Sequence, residues 1–321
     1  MLKDIKETPA ALETLLKNTQ ITLKKDISKI YIAASGSSRN AANIARYFIE
    51  KMANMPVIVD YASEFAHRSV AMTQNDLFIP LSQSGETADV LSALKKAKDK
   101  GIATFAITNN ENSTIYKSTD IGMLAYAGEE TSIPATKSFI CQLMCLYLLG
   151  LHLAGKQEQD LWKVPEKIAS FIENCSELDS IAEQIKDFKN LIILGRGQNW
   201  AFAEEGALKI KETSYINATG YPTGEFLHGH VAVLDENFPV ISILTRCFDD
   251  AENYPLAIKN TEEIKKKRNP IMIELRHGEE NEIIASFITA VMLQLLTYKT
   301  AMLLGRNVDK PRSLNKVVEK E

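Results

Sequence analysis

The stretch Pro80-Leu81-Ser82-Gln83-Ser84-Gly85-Glu86-Thr87 decides the fold. Before it, Asp76-Leu77-Phe78-Ile79-Pro80-Leu81 is an apolar run with the length of a short buried strand. After it, Thr87-Ala88-Asp89-Val90-Leu91-Ser92-Ala93-Leu94-Lys95 reads as a helix. Between them, Ser82, Gln83, Ser84 and Thr87 bring hydroxyls and an amide around Gly85. A strand, a donor-rich loop and a helix N-terminus together suit an anion such as phosphate. The first backbone N–H groups of a helix lack intrahelical partners, and the helix dipole favours negative charge there. A well-capped helix following a strand would account for this stretch taken alone.

A second stretch has the same design. Ile30 to Ala34 reads as a strand, Ser35-Gly36-Ser37-Ser38 as a hydroxyl-rich turn, and Asn40 to Glu50 as a helix. Two such loops on neighbouring parallel strands would converge on one ligand at the carboxyl edge of a sheet. Neither matches the glycine fingerprint of dinucleotide sites or the lysine-bearing loop of ATP sites. That leaves a small phosphorylated metabolite as the expected ligand.

Composition narrows the class. The chain has 321 residues, 45% of them hydrophobic, enough for two domains that each bury a core. A formal net charge of −4 gives no broad basic surface, so no nucleic-acid partner is expected. The basic run Lys265-Lys266-Lys267-Arg268 reads as cations at a helix C-terminus. Cys141, Cys145, Cys175 and Cys247 form no metal-ligand spacing. The charged N-terminus lacks a signal-peptide core. The apolar run from Ile140 to Ala154 contains Gln142 and His152 and reads as too short and polar to span a membrane. A cytoplasmic protein is expected.

The pattern repeats near the midpoint. Asn190 to Leu194 reads as a strand, Gly195-Arg196-Gly197-Gln198-Asn199 as its loop, and Ala201 to Ser214 as a helix. Further strands are expected at 56–60, 103–108, 239–244 and 270–275. Alternating strands and helices predict α/β architecture with parallel sheets. The polar segment 155–165 is expected to join two halves, giving domains 1–155 and 156–305 and a tail 306–321.

Several motifs in order carry a resemblance. They are Ser82-Gln83-Ser84-Gly85-Glu86-Thr87, Ala135-Thr136-Lys137-Ser138-Phe139, Leu194-Gly195-Arg196-Gly197 and Glu205 to Glu212. Gly224-Glu225-Phe226-Leu227-His228-Gly229 and Asn307 to Lys316 complete the set. Together they resemble the double sugar isomerase (SIS) domain family, as in the isomerase module of glutamine–fructose-6-phosphate aminotransferase. The resemblance covers essentially the whole chain. It implies two SIS domains, each a three-layer αβα unit of flavodoxin-like form, without metal or organic cofactor.

The resemblance also implies roles. Ser37, Ser38, Ser82, Gln83, Ser84 and Thr87, with Gly36 in the first loop, would hold the sugar phosphate. Glu212 would move a proton between C1 and C2, and Lys209 would sit near the sugar hydroxyls. His228 would assist ring opening from the other subunit of a homodimer with a shared active site. Lys316 would form a Schiff base with the open-chain sugar. The chemistry is reasonable on its own terms, since moving a proton between adjacent carbons needs one base that reaches both. His230, where the family has proline, reads as a surface or interface residue.

Departures from the family pattern bear on the substrate. Ser35-Gly36-Ser37-Ser38 replaces Cys-Gly-Thr-Ser and keeps the hydroxyls. Ala135 replaces a serine expected on the sugar, and Asn315 replaces the alanine before the tail lysine. Losing one donor and gaining another points to an altered sugar or nitrogen substituent. The glutaminase half is absent from this chain, so release of ammonia is the expected direction. The expected activity is an amino-sugar-phosphate isomerase/deaminase. A deglycase of fructosyl-amino-acid 6-phosphates and a non-catalytic sugar-phosphate sensor are the alternatives.

Overall fold

In the computed structural model, which describes residues 1–23, 26–157, 159–248 and 250–316, the chain forms two compact units. The N-terminal unit comprises Glu7–Glu130, Lys137–Trp162 and the tail from Asn315. The C-terminal unit comprises Met1–Lys6, Thr131–Thr136 and Lys163–Leu314. Tail residues 317–321 lie outside the described residues.

The first half carries β1 (Lys29–Ala34), β2 (Val57–Tyr61), β3 (Asp76–Pro80), β4 (Ala103–Thr108) and β5 (Ile121–Leu124). Its helices are α1 (Leu2–Asn18), α2 (Gly36–Ala53), α3 (Ala62–His67), α4 (Ala88–Asp99), α5 (Thr114–Ser118) and α6 (Lys137–Ala154). The strands form one parallel sheet in the order β2-β1-β3-β4-β5. Ile32 of β1 lies opposite Val59 on one side and Ile79 on the other. Alternate residues face opposite layers. Tyr31, Ala33, Phe78 and Ala106 pack with Phe65 of α3 and with Val90 and Leu94 of α4. The other face lies under α2 and α6, where Phe48 stacks on Tyr147 with ring centroids 4.0 Å apart. A sheet covered on both faces explains why its strands read as unbroken apolar runs.

The second half carries β6 (Asn190–Gly195), β7 (Asn217–Pro222), β8 (Pro239–Ile243) and β9 (Ile271–Leu275). They too form a parallel sheet, in the order β7-β6-β8-β9. Its helices are α7 (Val164–Glu173), α8 (Glu177–Ile185), α9 (Gln198–Ser214), α10 (Thr223–Phe226), α11 (Asp250–Arg268) and α12 (Glu282–Leu303). Ile192, Leu194 and Val240 pack with Phe226 of α10 and Ile264 of α11. On the opposite face α12 runs against α7, α8 and α9. Gly206 permits that approach, because a Cβ there would stand 3.0 Å from Leu293. The strand order repeats that of β2-β1-β3-β4, so the internal repeat read from the sequence is a repeat of topology. Two parallel sheets flanked by helices is the α/β architecture the pattern predicts.

Some local expectations need correction. The helix placed at Asn40 begins at Gly36, so Gly36, Ser37 and Ser38 form its first turn rather than a preceding loop. The helix placed at Ala201 begins at Gln198. The polar segment 155–165 contains a 3-10 turn at Gln159–Lys163, and α7 starts at Val164; Glu158 lies outside the described residues. α6 is longer than the apolar run within it. Both α6 and α12 are long and apolar enough by length and composition to cross a membrane. Their apolar windows are, however, 78% and 89% buried inside the protein, as core helices are.

Candidate active site

In the N-terminal unit, β1 is an interior strand: the chain goes from β1 to β2 on one side, then returns past β1 to β3 on the other. The crevice beyond the carboxyl ends of β1 and β3 is therefore the topological switch point of this sheet. The two loops leave the sheet side by side, since Leu81 donates its N–H to the Ala33 carbonyl at 3.1 Å. Ser35 is the N-cap of α2 and Thr87 the N-cap of α4, and neither makes a side-chain capping hydrogen bond. The amides opening both helices are thus left to another acceptor, as an anion site requires.

The second loop is held from within. The Ser82 and Thr87 hydroxyls are 2.9 Å apart, and Gly85 N–H donates to Ser82 Oγ at 3.1 Å. Glu86 N–H donates to Ser84 Oγ at 3.1 Å. The Gln83 carbonyl accepts from Asn109 N–H at 3.0 Å and from the Thr108 hydroxyl at 3.3 Å. Gly85 has φ +71°, and a Cβ there would fall 2.1 Å from Ser113 Oγ. Only glycine lets this loop close on its neighbour. Gly36, at φ +54°, differs: a Cβ there would meet no heavy atom within 4 Å, so the space beside the first loop is open. Ser37 and Ser82 are buried at the base of this cradle, while Ser38, Gln83, Ser84 and Thr87 are partly exposed.

The matching crevice of the C-terminal unit is filled by its own side chains. Asn199 donates to the Thr245 carbonyl at 2.9 Å and accepts from the Thr245 hydroxyl at 3.1 Å. Gln198 Oε1 accepts from Phe248 N–H at 3.1 Å and from Ser286 Oγ at 2.6 Å. Side-chain amides here occupy the position that hydroxyls line in the N-terminal unit.

The C-terminal unit instead carries charge along α9. Glu205, Lys209 and Glu212 are spaced i, i+4 and i+7, which places them on one helix face. Lys209 is 1% exposed; its Nζ lies 2.5 Å from Glu212 Oε2 and 3.9 Å from Glu205 Oε1. Glu205 is buried, whereas Glu212 is 21% exposed and so can meet a ligand. A cavity of about 430 Å³ opens beside Glu212, with Lys211, Tyr215, Asn217, Arg312 and Ser313 on its wall. Arg312 is fixed there, its N–H donating to Tyr215 Oη at 3.0 Å and its guanidinium 4.1 Å from the Tyr215 ring. His228 is exposed in the turn after α10. His230 is exposed too and lies against Tyr221, with ring centroids 4.4 Å apart.

Lys316 belongs to the N-terminal unit. Its Nζ lies 2.8 Å from Glu130 Oε2, and the Glu130 side chain is fully buried. Glu130 also accepts from Ser138 N–H at 3.1 Å and Ser138 Oγ at 2.6 Å. Ala135 is half-buried and Asn315 exposed. In the sequence, Glu205 stands within its motif without an assigned role, and Glu130 is not singled out. Helical spacing from Lys209 was the available signal for Glu205. Glu130 had none, because nothing local pairs it with a residue far along the chain.

Fold and site together describe an α/β protein of duplicated design, with a hydroxyl-lined sheet edge in one unit and a Glu205–Lys209–Glu212 face on a helix of the other. The chain belongs to the SIS domain family, whose profile matches residues 24–151 and 184–248. It is 36% identical to the glutamine–fructose-6-phosphate aminotransferase [isomerizing] of Chlorobaculum tepidum and 37% identical to that of Aquifex aeolicus. Both alignments cover 100% of this chain, which spans 58% of the length of those relatives. Among solved structures, the C-terminal domain of the Francisella tularensis glucosamine-fructose-6-phosphate aminotransferase superposes with a TM-score of 0.83 at 33% identity, covering 97% of each chain. A glucosamine-6-phosphate deaminase from Thermotoga maritima superposes with a TM-score of 0.82 at 25% identity, covering 99% of this chain and 98% of that one.

Proposed function

We propose that this protein is a phosphosugar isomerase/deaminase, converting an aldose 2-amine 6-phosphate to the ketose 6-phosphate and ammonia. The carrying observation is the buried Lys209 held between Glu205 and the accessible Glu212 on one face of α9. A carboxylate whose orientation is fixed by a buried ammonium suits a base that must reach two adjacent carbons. Similarity in fold to the Thermotoga maritima deaminase supports the direction of reaction.

The roles follow from the chemistry. Ser37, Ser38, Ser82, Gln83, Ser84, Thr87 and the α2 and α4 amides hold the phosphate. His228 assists ring opening. Glu212 takes the C2 proton of the open-chain amino sugar and returns it to C1, leaving an iminium at C2. The Lys316 amine adds to C2, ammonia leaves, and water then frees the ketose from the lysine. Lys209 keeps Glu212 in place. Ala135 and Asn315 adjust the fit around the sugar. The enzyme acts in the cytoplasm on a small sugar phosphate as a homodimer, with His228 serving the partner's site; its exposure is compatible with that. Mixing a His228→Asn with a Glu212→Gln protein should restore part of the activity in heterodimers, and no restoration would rule out sharing.

The deciding assay offers glucosamine 6-phosphate and measures ammonia and fructose 6-phosphate together. Equal amounts of both are expected, and Glu212→Gln should abolish turnover while keeping sugar-phosphate binding. Undiminished turnover by Glu212→Gln would refute the assignment. A second reading has its own support: Lys211 and Arg312 on the cavity wall beside Glu212 suit the carboxylate of a fructosyl-amino-acid 6-phosphate. Release of a free amino acid in place of ammonia would identify that deglycase. Binding without turnover of either substrate would mark a sensor.

A further inference from the structure

We propose that Glu130 is the positioning residue for Lys316: a carboxylate built into the fold that docks the tail lysine and receives its proton. This rests on the imine role given to Lys316 above.

Glu130 cannot follow a moving partner. Its carboxylate is fully buried and fixed by two donors of Ser138, the second residue of α6. It therefore sits at the positive end of a long helix, where a negative charge is favoured. Arg312, Ser313, Leu314 and Asn315 are all exposed. Lys316 is exposed as well, yet its ammonium reaches the buried carboxylate at 2.8 Å. A charged donor on a buried anion is among the stronger tethers available to a surface tail. A cation placed against a buried carboxylate offsets the cost of burying that charge, which favours the docked position of the tail.

The same contact sets up the chemistry. A lysine must shed a proton before its nitrogen can add to an iminium carbon, and Glu130 Oε2, 2.8 Å away, is placed to take it. The nitrogen then bonds to C2, the C2–N bond to the original amine breaks, and Glu130 passes the proton to the departing ammonia as ammonium. The carboxylate ends as it began, and the lysine holds the sugar as a protonated imine.

The test separates docking from chemistry. Hydrogen exchange of the tail segment 310–316 reads docking without any substrate. In Glu130→Gln it should quicken about tenfold, the scale of one charge-assisted hydrogen bond, and Lys316→Met should match it. Borohydride reduction with glucosamine 6-phosphate, followed by mass spectrometry of the Lys316 peptide, reads the imine. Glu130→Gln should lower trapping and kcat at least about tenfold with KM little changed, and Glu130→Asp should recover part of both. Unchanged tail exchange in Glu130→Gln would overturn the inference, as would unchanged kcat with wild-type pH dependence. Faster tail exchange without any trapped adduct in the wild type would uphold docking and refute the imine role instead. If Glu130→Gln does not fold, Ser138→Ala keeps the charge but removes the hydroxyl donor on Oε2, leaving the backbone N–H. It should loosen the tail to a smaller extent, and a tail as protected as in the wild type would overturn the proposal.

Discussion

Replacing Lys209 by methionine keeps the length and apolar stem of the side chain and removes only the ammonium. The structure gives the size of the effect. Lys209 and Glu205 are 1% and 3% exposed at the side chain, so deletion leaves Glu205 as a buried carboxylate without this cation. Breaking a buried pair from one side costs about 3–5 kcal/mol. Glu212, a fifth exposed, can be hydrated and adds less. Set against a total stability of about 5–15 kcal/mol, this is a large loss. With a urea m-value of about 2 kcal/mol/M, the unfolding midpoint should fall by about 1.5–2.5 M. Adding Glu205→Gln removes the stranded charge and should recover at least half of the loss, a non-additivity expected of residues in contact. Urea titration followed by far-UV circular dichroism measures both. A fall below about 0.5 M, or no recovery in the double variant, would refute the placement of Lys209 as the cation that neutralises this helix face.

Gly85→Ala should destabilise the N-terminal unit by about 2–4 kcal/mol and abolish sugar-phosphate binding by calorimetry, because φ +71° and the 2.1 Å approach to Ser113 both exclude a Cβ. Near-normal binding would show that the loop can close without that approach. His277 accepts Glu279 N–H at Nδ1 and meets Thr289 Oγ1 through Nε2, and burial pushes its pKa from 6.5 down to about 4. The unfolded chain therefore binds the extra proton first. Stability should be flat above pH 6.5 and fall as pH drops toward about 4, by at most about 3 kcal/mol, less for residual exposure of the ring. His277→Asn should flatten that part of a stability–pH series; an unchanged slope would assign it to other groups. Asn281 caps α12, accepting from Ile283 and Ile284 N–H at 3.1 and 3.0 Å, so Asn281→Ala should cost about 1 kcal/mol in thermal or urea unfolding.

How much was legible depended on whether the signal was local. β1, β3, β4, β6 and β8 were readable because a sheet covered on both faces demands unbroken apolar runs, and edge strand β9 because Ile271, Met272, Ile273 and Leu275 still leave it mostly apolar. β7 was missed: Asn217-Ala218-Thr219-Gly220-Tyr221-Pro222 is an edge strand, and Gly220 answers to packing against α9, where a Cβ would come 2.6 Å from Glu204 N. The cradle was readable because loop, glycine and helix start are contiguous in sequence. Starts of α2 and α9 were set too late because glycine, serine and asparagine are poor formers of helix interiors yet frequent in first turns. Glu130 could not be found from the sequence, since 186 residues separate it from Lys316.

The duplicated topology makes the difference between the halves informative. Both sheets reverse strand order at the same place, and both offer a helix N-terminus there. In the N-terminal unit that terminus faces hydroxyls, an uncapped helix start and open space beside Gly36. In the C-terminal unit Gln198 and Asn199 fold back onto Thr245, Phe248 and Ser286, and these buried hydrogen bonds leave an anion no donors to claim. Opening that crevice would strand buried amides, each at a cost of about 1–3 kcal/mol, so the closure is stable. The charged groups of the second unit stand instead along α9, on the Glu205–Lys209–Glu212 face. One copy of the fold thus leaves its sheet edge open and lined with hydroxyls, while the other ties up its edge amides and carries buried charges on a helix face.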